Sequence, residues 1–156
     1  MKKSELRKII KEEIQNVQES KQPGILYHFT DDSGMEGILI GNQLLASINV
    51  GGISLTRDKN GWFVGRLDNI FRIELDGNKI SNNYKIKPVA WGQNDRSKGY
   101  TESEELVITP KINNIKNYIL SVTINKDMLR SLGGVEVDYI IDLLGSRSIP
   151  FNYFPQ

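Results

Sequence analysis

The stretch ESEELVI, residues 102–108, places three carboxylates within four positions at the start of an apolar run. Side chains alternate along a strand, so Glu102 and Glu104 point to the same face if the run is a strand. Two like charges on one face destabilise the strand unless a cation, a substrate or solvent offsets their repulsion. The segment therefore predicts either an acid pair that acts on a substrate or a solvated strand entrance.

A second group of chemically useful side chains follows a glycine pair in GGISLTRDKN, residues 51–60. The glycines allow the backbone to enter a strand at close quarters. In that strand Ser54 and Thr56 project to one face, and Arg57 follows at the strand end. A guanidinium there suits a phosphate or a carboxylate, although an isolated arginine is also compatible with a simple surface charge.

The one histidine, His28, lies in the strand-like segment ILYHFT, residues 25–30. A histidine in a strand is usually a hydrogen-bonded core or edge residue. Because the chain has one histidine and no cysteine, a histidine-rich or thiolate metal site, a disulfide and a cysteine nucleophile are all excluded. We therefore expect no metal centre.

The elements that must position these groups follow from hydrophobic periodicity. Strands are predicted at residues 25–30, 53–56, 69–75, 105–109 and 118–124, and helices at 126–132 and 137–144. A further helix after the first strand has Met35, Ile38 and Leu39 on one face, Thr30 or Asp31 as its cap, and an end near Gly41. Residues 82–101 show little periodicity and predict a long loop. A turn at residues 110–114 is predicted between the last two strands.

The N-terminal segment predicts an amphipathic helix over residues 1–22, ahead of one domain at residues 23–156. Its apolar residues fall at helical spacing: Leu6, Ile9, Ile10, Ile14 and Val17. This stripe either packs on the domain's own core or docks to a partner.

Composition limits the class of protein. A chain of 156 residues supports one core, and a net charge of +1 lacks the strong positive field that non-specific nucleic-acid binding requires. No apolar run is long enough to span a bilayer, and the charged N-terminus lacks a signal-peptide core. We therefore expect a cytoplasmic protein with no membrane association.

Together, the order of these motifs resembles the ADP-ribosyltransferase superfamily. YHFT, then seven residues, IL, a turn and LLAS is similar to the start of DarT-type toxins, and of the RNA 2′-phosphotransferase and poly-ADP-ribose polymerase branches. The Ser/Thr strand with Arg57 and the ExE motif follow in the same order. The resemblance spans about residues 25–124.

This resemblance implies an α+β fold: a split antiparallel β-sandwich with flanking helices, whose central strands grip NAD in a cleft. His28 would bind a ribose hydroxyl, and Ser54 and Thr56 would form a wall of the nicotinamide pocket. Glu104 would be the catalytic glutamate, and Glu102 would orient or deprotonate the incoming nucleophile. The implied catalytic set is Arg57, Glu102 and Glu104, and the implied cofactor-binding set is Tyr27, His28, Ser54, Thr56, Phe63 and Arg66. Arg57 and Arg66 would meet the pyrophosphate, and Trp62 or Phe63 would stack on the nicotinamide. We expect these residues to converge on one crevice.

The implied activity is NAD-dependent mono-ADP-ribosylation of a macromolecule in a bacterial cytoplasm, by a toxin or a bacteriophage protein. The acceptor stays open between protein and nucleic acid, because a first-motif histidine is combined with an ExE third motif. Trp91, Arg96 and Tyr100 are candidates for target contact, unless they belong to an ordinary loop. The alternatives are a non-catalytic nucleotide- or protein-binding module, and an RNA 2′-phosphotransferase that would draw on Arg57, Arg66 and Arg72.

Overall fold

A computed structural model describes residues 4–10, 24–48, 51–60, 69–89, 104–131 and 135–154, and describes Glu104 by its backbone. The strands are β1 (Ile25–Thr30), β2 (Gln43–Leu45), β3 (Ile53–Thr56), β4 (Phe71–Asp76), β5 (Ile86–Val89), β6 (Glu104–Val107), β7 (Lys111–Asn113), β8 (Ile119–Asn125) and β9 (Phe151–Phe154). The helices are α1 (residues 4–10), α2 (Asp32–Gly41), α3 (Gly77–Asn83), α4 (Lys126–Ser131) and α5 (Val135–Ser146). The expected α+β class is confirmed.

Seven strands form one sheet in the order β5-β6-β3-β1-β4-β8-β9, antiparallel except where β9 runs parallel to β8. Strands β2 and β7 form a separate antiparallel pair. The three strands that carry the chemical motifs, β6, β3 and β1, are therefore consecutive neighbours in the larger sheet. Neighbouring strands lie about 5 Å apart, so side chains far apart in sequence come within reach of one ligand.

The sheet is weakly joined between β1 and β3. β1 is in register with β4 along its whole length, from Ile25↔Asp76 to Thr30↔Phe71. With β3, in contrast, its register consists of one pair, Tyr27↔Thr56. In a regular antiparallel pair, residues 28–30 would continue opposite residues 53–55, but no register is formed between them. We call this unpaired part of the two strands the β1–β3 opening. The larger sheet therefore has a weak join between β1 and β3.

Helix α2 forms as its sequence predicts. The Asp31 carboxylate accepts a hydrogen bond from the backbone N–H of Gly34 at 2.7 Å, which caps the helix start. The helix ends at Asn42, whose left-handed backbone (φ 48°) directs its N–H to the Leu39 carbonyl. The predicted apolar face of Met35, Ile38 and Leu39 is buried in the core. This packing fixes the chain direction at the end of β1.

Gly52 permits the close approach of β3 to β6. A Cβ atom at this position would lie 2.6 Å from the carbonyl oxygen of Val107 and 3.0 Å from the Leu106 side chain. Replacing Gly52 by Ala is therefore expected to lower the free energy of unfolding by about 1–3 kcal/mol, the usual cost of overpacking. Urea unfolding measures this change. Gly37→Ala is the matched control: Gly37 is inside α2 with nothing within 4 Å of a Cβ, so alanine should stabilise the helix by up to about 1 kcal/mol. Equal changes in the two variants would contradict this account.

Several elements differ from the sequence predictions. The predicted loop at residues 82–101 contains the end of α3 and strand β5, and β7 lies within the predicted turn at residues 110–114. The aromatic C-terminus forms β9. β5 was missed because Lys87 and Pro88 are poor strand formers, which an edge strand such as β5 tolerates.

The described part of α1 leaves its apolar stripe exposed. Leu6, Ile9 and Ile10 are between 44% and 47% accessible, so packing of these three residues on the core, one of the two expectations, is not observed. The segments that the structure describes include no helix with the length and apolar character needed to cross a membrane.

Candidate functional site

Strand register divides the expected site residues between two faces of the sheet. Tyr27 pairs with Thr56, and Thr56 pairs with Glu104, so these three positions form one row across β1, β3 and β6. Directly paired residues share a face, and alternate residues of one strand share it too, so Ser54 belongs to the same face. We call this the hydroxyl face.

His28 and Arg57 belong to the opposite face, because each follows a residue of the Tyr27–Thr56–Glu104 row by one position. Glu105 lies on this second face as well, since it pairs with Leu55. The register therefore places the His28 and Glu104 positions on opposite faces of the sheet. The two groups of residues can contact a common ligand only at the β1–β3 opening. The remaining expected residues, Glu102, Trp62, Phe63, Arg66, Trp91, Arg96 and Tyr100, lie outside the described residues.

His28 links the two strands at the opening. Its Nδ1 atom is 3.3 Å from the backbone carbonyl oxygen of Ser54. A carbonyl oxygen only accepts, so Nδ1 must carry the proton. This bond connects the two strands beyond their single registered pair, Tyr27↔Thr56. In the neutral ring, the Nε2 lone pair is then left to accept a hydrogen bond from another group.

Burial keeps this imidazole neutral. The pKa of His28 is lowered from its ordinary value of 6.5, because burial disfavours the charged ring more than the bond to the Ser54 carbonyl favours it. His28 is therefore suited to accept a hydrogen bond at neutral pH rather than to act as a cation.

The lowered pKa of His28 predicts that the folded state is most stable above about pH 6.5. As pH falls below 6.5, the unfolded chain takes up a proton that the folded ring resists, so stability decreases until pH reaches the lowered folded pKa. Urea midpoints at pH 7.5 and 5.5 measure this loss, and His28→Gln should remove most of it because the chain has one histidine. NMR of the single imidazole should show the Nδ1–H tautomer; an Nε2–H tautomer would contradict the assignment.

Arg57 and Glu105 form an ion pair on the His28 face. The Arg57 Nε atom donates to Glu105 Oε1 at 2.6 Å, and the two side chains are 33% and 6% accessible. The second oxygen, Oε2, is buried and has no hydrogen-bond partner among the described residues. Glu105 is not among the site residues that the sequence predicts. The available signal was the third acid of ESEE, directly before Leu106 and Val107.

Thr56 ends β3 with a local turn. Its hydroxyl oxygen accepts a hydrogen bond from the backbone N–H of Asp58 at 3.0 Å, and the Asp58 carboxylate accepts one from the N–H of Asn60 at 2.9 Å. Ser54, two residues earlier, is half-buried. The turn sets the position of Arg57, which lies between Thr56 and Asp58.

A buried polar network lies beside Tyr27 on the hydroxyl face. Arg72 is 4% accessible, and its guanidinium carbon is 5.7 Å from the centroid of the Tyr27 ring. It donates to the Lys59 carbonyl at 3.0 Å and to the Thr123 hydroxyl at 3.1 Å, and lies 3.5 Å from Glu74 Oε1. Burial, and next the negative charge of Glu74, raise the pKa of the Tyr27 phenol. The Tyr27 hydroxyl is therefore neutral and able to donate.

No protein-family model matches this chain, and no curated protein matches its sequence. Within the described ranges, no group of three or more His, Cys, Asp or Glu side chains is arranged to hold a metal ion.

Proposed function

We propose that this chain is an NAD-dependent mono-ADP-ribosyltransferase that modifies a macromolecule, either protein or nucleic acid, in a bacterial cytoplasm. The observation that carries the proposal is the Tyr27–Thr56–Glu104 row, which crosses three neighbouring strands beside the β1–β3 opening. These are the strands on which the superfamily resemblance depends. An ADP-ribosyltransferase-like split fold is part of the same proposal, and it is supported by a sheet that opens between β1 and β3.

The side chains around the opening fit a dinucleotide. The Nε2 atom of His28 can accept a hydrogen bond from a ribose hydroxyl, while Nδ1 stays bound to Ser54. Arg57 has its Nε committed to Glu105 and is one-third accessible, so its terminal nitrogens can meet a phosphate. Ser54 and Thr56 supply hydroxyls on the other side of the sheet.

Bound NAD supplies a nicotinamide leaving group on a ribose carbon, and breaking that bond leaves positive charge on the sugar. We assign Glu104 to stabilise this charge through a hydrogen bond from the ribose 2′-hydroxyl. Glu102 takes the proton of the incoming nucleophile, which forms the new bond to the same carbon. Arg66 joins Arg57 at the pyrophosphate, and Phe63 covers the nicotinamide.

A non-catalytic binding module is the second candidate, and one observation favours it. His28 and Arg57 lie on the face opposite the Glu104 position, so a ligand held by the first two would bind on the other side of the sheet from that position. An RNA 2′-phosphotransferase has less support. Of its expected cations, Arg72 is buried in the Tyr27 network, where it donates to the Lys59 carbonyl and the Thr123 hydroxyl.

The proposal is tested by incubating the protein with NAD, labelled in the adenylate and nicotinamide halves, and a bacterial lysate. Nicotinamide release with the adenylate label on protein or nucleic acid is the expected result, and Glu104→Gln should abolish both signals. Release of free ADP-ribose alone would indicate hydrolysis instead of transfer. Binding of NAD without turnover would select the binding module, and absence of binding would overturn both candidates.

A further inference from the structure

Glu105 is built into the sheet with one oxygen uncommitted. Its side chain is 6% accessible, Oε1 accepts from Arg57, and Oε2 has no hydrogen-bond partner within the described part of the chain. Leaving a buried acceptor unsatisfied costs about 1–3 kcal/mol, and more for a charged group. A carboxylate oxygen in this position is suited to a hydrogen-bond donor from a ligand.

Arg57 complements this oxygen. Glu105 holds the guanidinium by Nε alone, so the terminal Nη1 and Nη2 atoms have no partner among the residues described. A side chain fixed by one short ion pair loses less conformational entropy when it binds a second group. The pair therefore presents two donors next to one acceptor.

The charges around the pair decide which ligand it fits. Glu105 offsets Arg57, and the next two residues, Asp58 and Lys59, add one charge of each sign. A simple anion is only weakly attracted to such a nearly neutral site, and a simple cation is repelled by the guanidinium. We propose that Arg57 and Glu105 form a single recognition site for a phosphorylated sugar. In this site the guanidinium binds a phosphate oxygen, and Glu105 Oε2 accepts a hydrogen bond from a neighbouring hydroxyl.

This site rests on the proposed function, because the ribose and phosphate of NAD form a phosphorylated sugar. It gives Glu105 a binding role distinct from that of Glu104.

The experiment measures dissociation constants for ADP-ribose, ribose 5-phosphate and sulfate by calorimetry. The full chain is compared with Glu105→Gln, Arg57→Lys and the double variant. Sulfate carries negative oxygens and no donor. Matched controls are Glu36→Gln on α2 and Arg147→Lys after α5, neither of which lies near the pair in sequence.

Each single variant is expected to weaken ADP-ribose and ribose 5-phosphate binding by about tenfold, because each loses a charge-assisted hydrogen bond. The double variant should be no weaker than the worse single variant, since the two side chains act as a unit. Sulfate should bind weakly to wild type and no less tightly to Glu105→Gln, because Glu105 offers an anion no donor and its negative charge opposes binding. The two control variants should bind all three ligands like wild type.

Unchanged sugar-phosphate affinity in Glu105→Gln, with only its melting temperature lowered, would reduce the pair to a structural contact and overturn the inference while NAD turnover stands. Conversely, sugar-phosphate binding that depends on both residues, in a protein that does not cleave NAD, would support this site and overturn the proposed function. A wild-type protein that binds neither ADP-ribose nor ribose 5-phosphate would overturn both.

Discussion

Glu104→Gln is expected to slow nicotinamide release from NAD by about 10²–10³-fold, the usual cost of removing one group that stabilises charge in the transition state. The amide keeps the size of the side chain but cannot offset positive charge on the ribose. Because the loss falls on the transition state, kcat should decrease and KM should change little. Initial rates over a range of NAD concentrations separate the two.

Glu105→Gln is the matched comparison, one residue further along β6 and on the opposite face. It weakens the pair with Arg57, so KM should rise while kcat falls less than in Glu104→Gln. Circular dichroism and urea unfolding control for folding in both variants. If Glu105→Gln abolishes kcat and Glu104→Gln does not, the catalytic acid is on the face of His28, and the role assigned to the Tyr27–Thr56–Glu104 row is incorrect.

Local signals in the sequence were sufficient to predict the first three motif-bearing elements. The branched and aromatic run of β1, the Asp31 cap of α2 and the glycine pair before β3 each act over a few residues. The role suggested for the glycines is confirmed at Gly52, where a side chain would collide with the Val107 carbonyl. Elements determined by short-range physical chemistry are therefore predictable here.

The face on which each carboxylate lies was not predictable in the same way. It depends on the register of β6 against β3, two strands about 50 residues apart in sequence. A shift of one residue would exchange the faces of Glu104 and Glu105, and the sequence ESEE has an acid available in either register. The weak join between β1 and β3 is likewise a tertiary property without a local signal.

The polar face of β4 is more deeply buried than the periodicity of its sequence predicts. Its alternation separates Phe71, Ile73 and Leu75 from Arg72 and Glu74, which is typical of a strand with one wet face. In the structure Arg72 is as deeply buried as many core residues, because Lys59, Thr123 and Tyr27 surround its guanidinium. These partners come from three other segments, so sequence alone could not show that the charge is enclosed.

Arg72→Met is expected to lower the free energy of unfolding by about 3 kcal/mol, because removing one partner of a buried ion pair leaves the other charge uncompensated. Methionine retains an apolar stem of similar length, so the change tests the charge and its hydrogen bonds rather than cavity formation. The variant removes the donors to Lys59 and Thr123 and leaves Glu74, 16% accessible, without this cation. Urea unfolding at pH 7.5 gives the difference.

A double variant separates the ion pair from the rest of the network. In Arg72→Met with Glu74→Met, both charges are absent, and replacing a buried pair by apolar side chains is often close to neutral. We therefore expect the double variant to be more stable than Arg72→Met alone. Arg147→Met, at a half-exposed position, should change stability by no more than about 0.5 kcal/mol. Two results would contradict this explanation: a loss of less than about 1 kcal/mol in Arg72→Met, or a double variant that is less stable than Arg72→Met. In either case the uncompensated charge of Glu74 would not be the reason that the loss of Arg72 destabilises the protein.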